Sequence, residues 1–318
     1  MWRREIVEEA VRKFQGTESS IRFLGGYYRN VYEYERDGET CVIKLFPVAG
    51  RDRGRLLAEL KWMSFLKSRG IPVPKNILSA RGQSVETILR LPVPCYIVSF
   101  RKVNGKPVDP THKSVWNSGL FRRWGNIMGQ IHALSRNFLR REGTAAFDEW
   151  DEGELFHRDL SFIESRIVDR FSSMLQRIRT FPKSDRSYGL IHNDLHHRGF
   201  LLAGSGNLTP VDFGRVKRHF FTYDIAIALH HAMEETPEEL RDSFREEFLR
   251  AFMEGYLLEN ELEDHWREQV DFFLEYRLFH HYLQRMACLD ADRTDERELA
   301  HIREIRNRLL SMRPATLR

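Results

Sequence analysis

The chain has 318 residues, 42% hydrophobic and 30% charged, with 50 Lys and Arg against 46 Asp and Glu for a net charge of +4. Such a composition excludes a disordered or fibrous chain and gives enough length for about two domains of ~150 residues; the basic residues are interleaved with acidic ones, which speaks against a nucleic-acid partner. No stretch approaches the ~18 apolar residues of a membrane span, and the charged start MWRREIVEEAVRKFQG has no apolar signal core, so the expectation is a cytoplasmic protein, with no membrane association and with Cys41, Cys95 and Cys288 as free thiols.

The first element is an amphipathic helix with Ile6, Val7, Ala10, Val11 and Phe14 on one stripe. IRFLGGYYRNVYEYERDGETCVIKLF then reads as β-structure whose last two strands are joined by Asp37-Gly38, a strong hairpin signal. A two-residue loop sets the register: Arg36 opposes Glu39, Val31 opposes Lys44, and Val42 shares the face from which Lys44 projects. Gly25-Gly26 precedes this hairpin, where missing side chains would let backbone approach a ligand, or simply turn.

GRLLAELKWMSFLKSRG is a helix with Leu56, Leu60, Met63 and Leu66 inward and Gly70 as its stop. Glu59 lies on that stripe. Either Lys44 neutralises it, because a buried lone carboxylate is costly, or it edges out to solvent. After the proline-rich IPVPKNIL, QSVETILRL and CYIVSF supply two more strands, and RKVNGKPVDP is a polar connector. These elements make a five-stranded antiparallel domain over residues 1–103, with residues 104–318 as a mainly helical second domain.

In the second domain Leu120, Trp124, Ile127, Ile131 and Leu134 repeat at helical spacing, as does SFIESRIVDRFSSMLQRI. Thr236-Pro237-Glu238-Glu239 reads as a capping box opening a helix to about residue 258, and two more helices are expected near 261–287 and 295–312. Adjacent pairs such as His230-His231 do not share a helix face, which argues against zinc. One β excursion interrupts the helices: LIHNDLHHRGFLLAGSGNLTPVDFG, read as a hairpin with Ala203 opposite Leu208. Asp212 then opposes Gly199, and Asp194 stands just before it. Two carboxylates at one hairpin end repel each other unless a cation or a proton-transfer task lives there.

A phosphate-holding lysine, a glutamate to hold the lysine, a glycine turn, a proton-accepting aspartate and a metal-binding aspartate are together the requirements of phosphoryl transfer. At these residues the chain resembles the aminoglycoside phosphotransferase/choline kinase superfamily. LGGYYRNVYEYE is similar to its phosphate-binding hairpin, CVIKLF to its lysine strand, LLAEL to its glutamate helix, LIHNDLHHRGFLL to its catalytic loop and VDFG to its metal-binding segment. The resemblance implies an α+β, bilobal protein-kinase-like fold with ATP and Mg²⁺ between the lobes. It makes Lys44 the phosphate contact and Glu59 its partner. Gly25, Gly26, Val31 and Val42 surround the nucleotide, and the backbone from Arg101 to Val103 meets its adenine. Asp194 becomes the catalytic base, Asp212 the metal ligand, and His192, His196 and Asp224 supports of the loop.

Two departures stand out. The metal-binding Asn of the family falls at Gly199, and a second acidic residue that many relatives carry falls at Gly214. A neutral ligand can be replaced by water on Mg²⁺, so a working kinase is expected, with a nucleotide-binding pseudokinase as the alternative; restoring Asn at 199 would then raise turnover. The acceptor is expected to be a small molecule rather than a protein. Asp148, Glu149, Asp151, Glu152 and Glu154 around Trp150, with Trp266, Phe272, Phe273, Tyr276 and Tyr282, would suit a cationic amine or amino alcohol, unless they are solvated loop and ordinary core.

Overall fold

The computed structural model describes all residues except 1, 27–28, 50–51, 90–93, 288, 290–295 and 313–318. Helix α1 (Arg4–Lys13) precedes strands β1 (Thr17–Gly25), β2 (Val31–Arg36) and β3 (Glu39–Pro47), then helix α2 (Arg53–Ser68) and strands β4 (Asn76–Ile77), β5 (Glu86–Ile88) and β6 (Cys95–Arg101). The strands form one antiparallel sheet in the order β1-β2-β3-β6-β4, with β5 also on β6. Arg36 opposes Glu39 and Val31 opposes Lys44, as the Asp37-Gly38 turn requires. The sheet has one strand more than expected, because Asn76 in the proline-rich stretch donates to Ser99 O at 2.9 Å and pairs with β6.

Alternation along β2 and β3 divides the sheet. Tyr32, Tyr34, Cys41, Ile43 and Leu45 are buried with the α1 stripe of Ile6, Val7, Ala10, Val11 and Phe14 in one core. Val31, Val42 and Lys44 take the opposite, half-buried face. Cys41 and Cys95 are free and buried; Cys288 lies outside the described residues.

Asp52 caps α2 by accepting from Arg55 N at 2.9 Å. The inward face of α2 belongs to the core of the second lobe rather than to that of the sheet: Leu56, Leu60, Trp62, Met63 and Leu66 join one cluster with Trp124, Phe138 and Leu190, and the Trp62 and Phe138 rings lie 4.9 Å apart. The hydrophobic core therefore runs across the chain boundary expected at residues 103–104.

The second lobe comprises α3 (Ser118–Glu142), α4 (Ser165–Thr180), β7 (Tyr188–Ile191), β8 (Phe200–Leu202), β9 (Leu208–Pro210), β10 (Lys217–Phe220), α5 (Phe221–Glu234), α6 (Arg241–Tyr256), α7 (Trp266–Ala287) and α8 (Glu296–Ser311). Three sequence expectations change here. The β8–β9 hairpin pairs Leu202 with Leu208, and Val211 N donates to Gly199 O at 2.9 Å, so Gly199 faces Val211 and not Asp212. The connection holds one residue more, closed by Ala203 N to Asn207 O with Gly206 at φ 85°. The capping box does not form: Thr236 Oγ1 donates back to Ala232 O, and Glu238–Leu240 is a 3₁₀ turn before α6. A second pair of strands, β7 with β10, flanks the segment that carries Asp194 and Asp212; YGLI and KRHF are too short and too mixed to announce themselves by period.

Helices α3 and α6 cross at glycines. A Cβ on Gly125 would lie 1.9 Å from Phe252 O, and one on Gly255 would lie 1.9 Å from Arg122 O. Alanine gains about 1 kcal/mol of helix propensity over glycine, but here it must push two backbones apart, a cost of at least about 1–3 kcal/mol. Gly255→Ala is expected to lower the urea midpoint of unfolding, and an unchanged or raised midpoint would show that the crossing tolerates a methyl group.

Candidate active site

The site starts from one buried carboxylate. Asp224, on the first turn of α5, is 0% exposed. Its Oδ2 accepts from His192 N and its Oδ1 from Asn193 N, each at 2.9 Å, and His132 Nε2 reaches Oδ2 at 3.2 Å. Burial drives the His132 ring below its ordinary pKa, against the pull of Asp224, so the ring is neutral, donating from Nε2 and accepting the Tyr256 hydroxyl at Nδ1 over 2.8 Å. Asn260 Nδ2 in turn donates to Tyr256 at 2.9 Å. The segment entering Asp194 is thereby tied by its main chain to α3, α5 and α6.

Asn193 adopts φ 64° and donates from Nδ2 to Arg215 O at 3.0 Å. Asp194 follows with its carboxylate loosely framed: His196 Nε2 is 3.9 Å from Oδ1 and Arg215 Nε is 3.4 Å from Oδ2. Trp124 Nε1 holds Leu195 O at 3.2 Å, and His192 Nε2 holds Val211 O at 3.0 Å. These contacts place His192 and His196 beside the loop, and the second fastens the residue before Asp212 to it.

Asp212 stands at φ 65° with its side chain 66% exposed. Lys44 Nζ from β3 donates to its Oδ1 at 2.9 Å, across the two lobes. Partial burial alone would raise the Asp212 carboxyl, but the charge and hydrogen bond of Lys44 outweigh it and hold the group below its ordinary value. Oδ2 has no hydrogen-bond partner among the described residues. One exposed carboxylate with a free oxygen fits a hard divalent cation, which takes only one or two protein carboxylates beside phosphates and water.

Lys44 thus pairs with Asp212 and not with Glu59. Glu59 is 6% exposed, as its place on the stripe demands, but Arg55, one turn earlier on α2, brings its Nε within 3.8 Å of Glu59 and its Nη1 onto Asp148 of the second lobe. An arginine in reach of both carboxylates supplies positive charge at the buried Glu59, where Lys44 and solvent were the two expectations.

Gly25 and Gly26 have φ 127° and 87°, and a Cβ at Gly26 would lie 2.6 Å from Asn30 Oδ1 and Val31 Cγ2; the turn tip at 27–28 is outside the described residues. At the connector, Arg101 N donates to Lys75 O and Lys102 N to Thr40 O, whereas Val103 N has no backbone partner among the described residues. Of the segment expected to meet adenine, Val103 therefore offers an N–H without a backbone partner among the described residues.

Gly199 is packed. A Cβ there would meet Asp194 O at 2.8 Å and His196 O at 3.2 Å, while Gly199 N donates to His196 O at 2.7 Å. The loop has closed over the position at which the family places its Asn.

Beside Asp194 opens a cavity of about 330 Å³, walled in part by Trp150, Phe156, Tyr223 and Tyr276 and reached by Asn193 and Arg215. Trp150 and Tyr276 are expected wall residues; Phe273 and Tyr282 are core instead. Of the acidic loop, Asp148 and Glu152 reach the wall, but Asp148 is paired with Arg55, Glu149 with Arg218, Lys183 and Tyr188, and Asp151 with Arg179. Sequence reading missed Arg55, Arg215, Lys217, His219, Arg277 and His280, all on this wall. A signal existed for Arg277, a lone cation between the aromatic residues of FFLEYRLFHHYL.

A histidine cluster lies behind Asp194. His230 Nε2 and His231 Nδ1 approach the two oxygens of Glu234 at 3.2 and 3.0 Å, so adjacent histidines straddle one carboxylate a turn away and the three could hold a metal ion. His231 Nε2, however, accepts from Arg277 at 3.2 Å, which commits both of its nitrogens.

The architecture is that of the kinase-like phosphotransferases. A sequence profile of the phosphotransferase enzyme family matches residues 20–268, and the chain belongs to that family. It is 28% identical over 302 residues to amicoumacin kinase of Bacillus subtilis (strain 168), covering 93% of this chain and 89% of that protein. Its fold matches an amicoumacin kinase in complex with AMP-PNP, Ca²⁺ and Ami with a TM-score of 0.87, at 27% identity over 97% of this chain and 93% of the other. It also matches a microcompartment-associated aminopropanol kinase with a TM-score of 0.72, at 19% identity over 96% and 94%. Among the described residues no helix is long and apolar enough to cross a membrane.

Two outcomes are expected. Gly199→Asn is expected to lower turnover rather than raise it, because its Cβ must displace the main chain of Asp194; a steady-state rate above the native one would show that the loop yields. Burial lowers His132, His219, His230, His231 and His280, and takes His197 to about 4 and His281 to about 3. Their folded values lie below the unfolded value of about 6.5, so the unfolded chain takes up protons first and stability is lost as pH falls through about 6.5. A melting temperature that stays level from pH 7 to 5 would contradict this.

Proposed function

We propose that the chain transfers the γ-phosphoryl group of ATP to a hydroxyl of a small molecule bound in the cavity beside Asp194. The observation that carries this reading is the Lys44 ammonium meeting the Asp212 carboxylate at 2.9 Å across the lobes, on a segment that His192 and Asn193 bond to the loop of Asp194, whose carboxylate shares Arg215 with the cavity. The reaction needs positioning and charge more than covalent help. Lys44 holds phosphate oxygens, and Val103 N–H meets the base. Asp212 is the residue that would hold Mg²⁺, whose chemistry when bound is to neutralise charge on the phosphate oxygens.

Asp194 orients the acceptor hydroxyl. As the hydroxyl oxygen bonds to the γ-phosphorus, its proton passes to Asp194 and the bond to the bridging oxygen of ADP breaks. Arg215 Nε, 3.4 Å from Asp194 Oδ2, fixes the direction of that carboxylate, which suits orientation of the hydroxyl and late proton acceptance. Gly199 leaves no side-chain ligand beside Asp212, so water would complete the coordination.

Asp194→Ala is expected to lower transfer from labelled ATP to an active acceptor, found by screening antibiotics, amino alcohols and hydroxy acids, by about 10²- to 10⁴-fold, with AMP-PNP binding retained. Asp212→Ala is expected to remove the dependence of AMP-PNP binding on Mg²⁺. AMP-PNP binding that ignores Mg²⁺ in the native chain, with no transfer to any acceptor, would replace the kinase reading with that of a pseudokinase.

A further inference from the structure

The cavity wall carries more positive charge than its carboxylates balance. Arg277, on α7, is 5% exposed and lines the cavity. A guanidinium stays charged in proteins, yet Arg277 has no carboxylate at ion-pair distance among the described residues. Its contacts are long and go to neutral acceptors, from Nη1 to the Tyr223 hydroxyl at 3.4 Å and from Nη2 to His231 Nε2 at 3.2 Å, while Nε has no partner. Native proteins rarely leave such a group unmatched unless it has work to do.

Lys217, on the same wall, also lacks a carboxylate partner among the described residues. Its ammonium donates to the carbonyls of Trp150 at 3.3 Å and Glu152 at 3.1 Å and lies 5.8 Å from the centre of the Phe156 ring. Burial lowers it, against the pull of Asp148, to about 8, so it is mainly protonated at neutral pH. Two imidazoles near these cations, the buried His219 and the half-buried His280, add unpartnered nitrogens. His219 is 1% exposed and accepts Phe220 N at Nδ1 over 2.7 Å, which leaves Nε2–H as a donor without a partner; His280 Nδ1 is likewise unpartnered. The only cation of this wall that α2 contributes, Arg55, is already spent on Asp148 and Glu59.

We propose that this cavity recognises a carboxylate on the acceptor through Arg277, supported by Lys217, so that the substrates are hydroxylated organic acids with an apolar or aromatic body rather than simple cationic amino alcohols. The proposal rests on the cavity being the acceptor site of the phosphotransferase. The guanidinium fork takes a carboxylate by two parallel hydrogen bonds, Trp150, Phe156 and Tyr276 flank the body, and the hydroxyl end is left toward Arg215 and Asp194.

Three probes that differ in one group test this: 4-(hydroxymethyl)benzoate, its primary amide, and 4-(aminomethyl)benzyl alcohol. Calorimetric binding to the native chain with AMP-PNP and Mg²⁺ is expected to favour the benzoate over both others by about tenfold or more. Arg277→Gln is expected to bring the three affinities together by weakening the benzoate alone, Arg277→Lys to restore part of the preference, and Lys217→Met to reduce it, with AMP-PNP affinity and melting temperature reporting that each variant is folded. Equal or tighter binding of the amine or amide, no binding of the benzoate, or a preference unchanged in Arg277→Gln overturns the proposal. Benzoate preference without any phosphoryl transfer would overturn the kinase reading and leave the anion site standing. Transfer with amine preference would do the reverse.

Discussion

The site depends on a carboxylate that touches no solvent. Asp224 spends both oxygens on the main-chain N–H groups of His192 and Asn193, with His132 as a third donor. A polar group at that depth is tolerable only when its hydrogen bonds are made, and one so bonded is stiff. Stiffness is what the neighbouring backbone needs, because Asn193 and Asp212 both adopt left-handed φ values that non-glycine residues avoid. The hydrogen bonds from Asp224, from Asn193 to Arg215 O and from His192 to Val211 O hold these two strained residues beside one another.

Much of this was legible in the chain, and the reason differs by region. The Asp37-Gly38 turn admits one register, and that register alone puts Lys44 opposite Val31. Helix stripes were legible because burial repeats at 3.6 residues. The hairpin after Asp194 was misread by one residue because its loop is one residue longer than the composition Gly-Ser-Gly-Asn suggests, and a strand period of two cannot absorb a single-residue error. The Lys44–Glu59 pair failed for a similar reason. Spacing shows that Glu59 points inward, but which cation meets it depends on side-chain reach, and Arg55 is nearer.

The cavity wall was the least legible part, since it is assembled from α2, the segment after α3, the loops around Asn193 and Arg215, β10, α5 and α7. Reading AAFDEWDEGEL as an acidic surface counts its carboxylates without their partners. In three dimensions Arg55, Arg179, Lys183 and Arg218 neutralise Asp148, Glu149 and Asp151, and the local field is set by what remains. Formal charge along a chain is therefore a poor guide to the sign of a cavity, because partners are drawn from other elements, Arg55 from 93 residues before Asp148.

The Lys44–Asp212 pair shows how one contact can serve both the fold and the proposed chemistry. A lysine and an aspartate at 2.9 Å link a strand of the sheet lobe to the loop of the helical lobe, yet with Asp212 largely exposed the pair contributes little to stability. That weakness suits a cleft that must admit charged reactants. A polyphosphate offers Lys44 an anion and its divalent ion offers Asp212 a cation, so each side chain would exchange one opposite charge for another. The lobes could then close on the nucleotide without first breaking a strong internal bond, while the rigid part of the site, fastened by Asp224, keeps Asp194 in place.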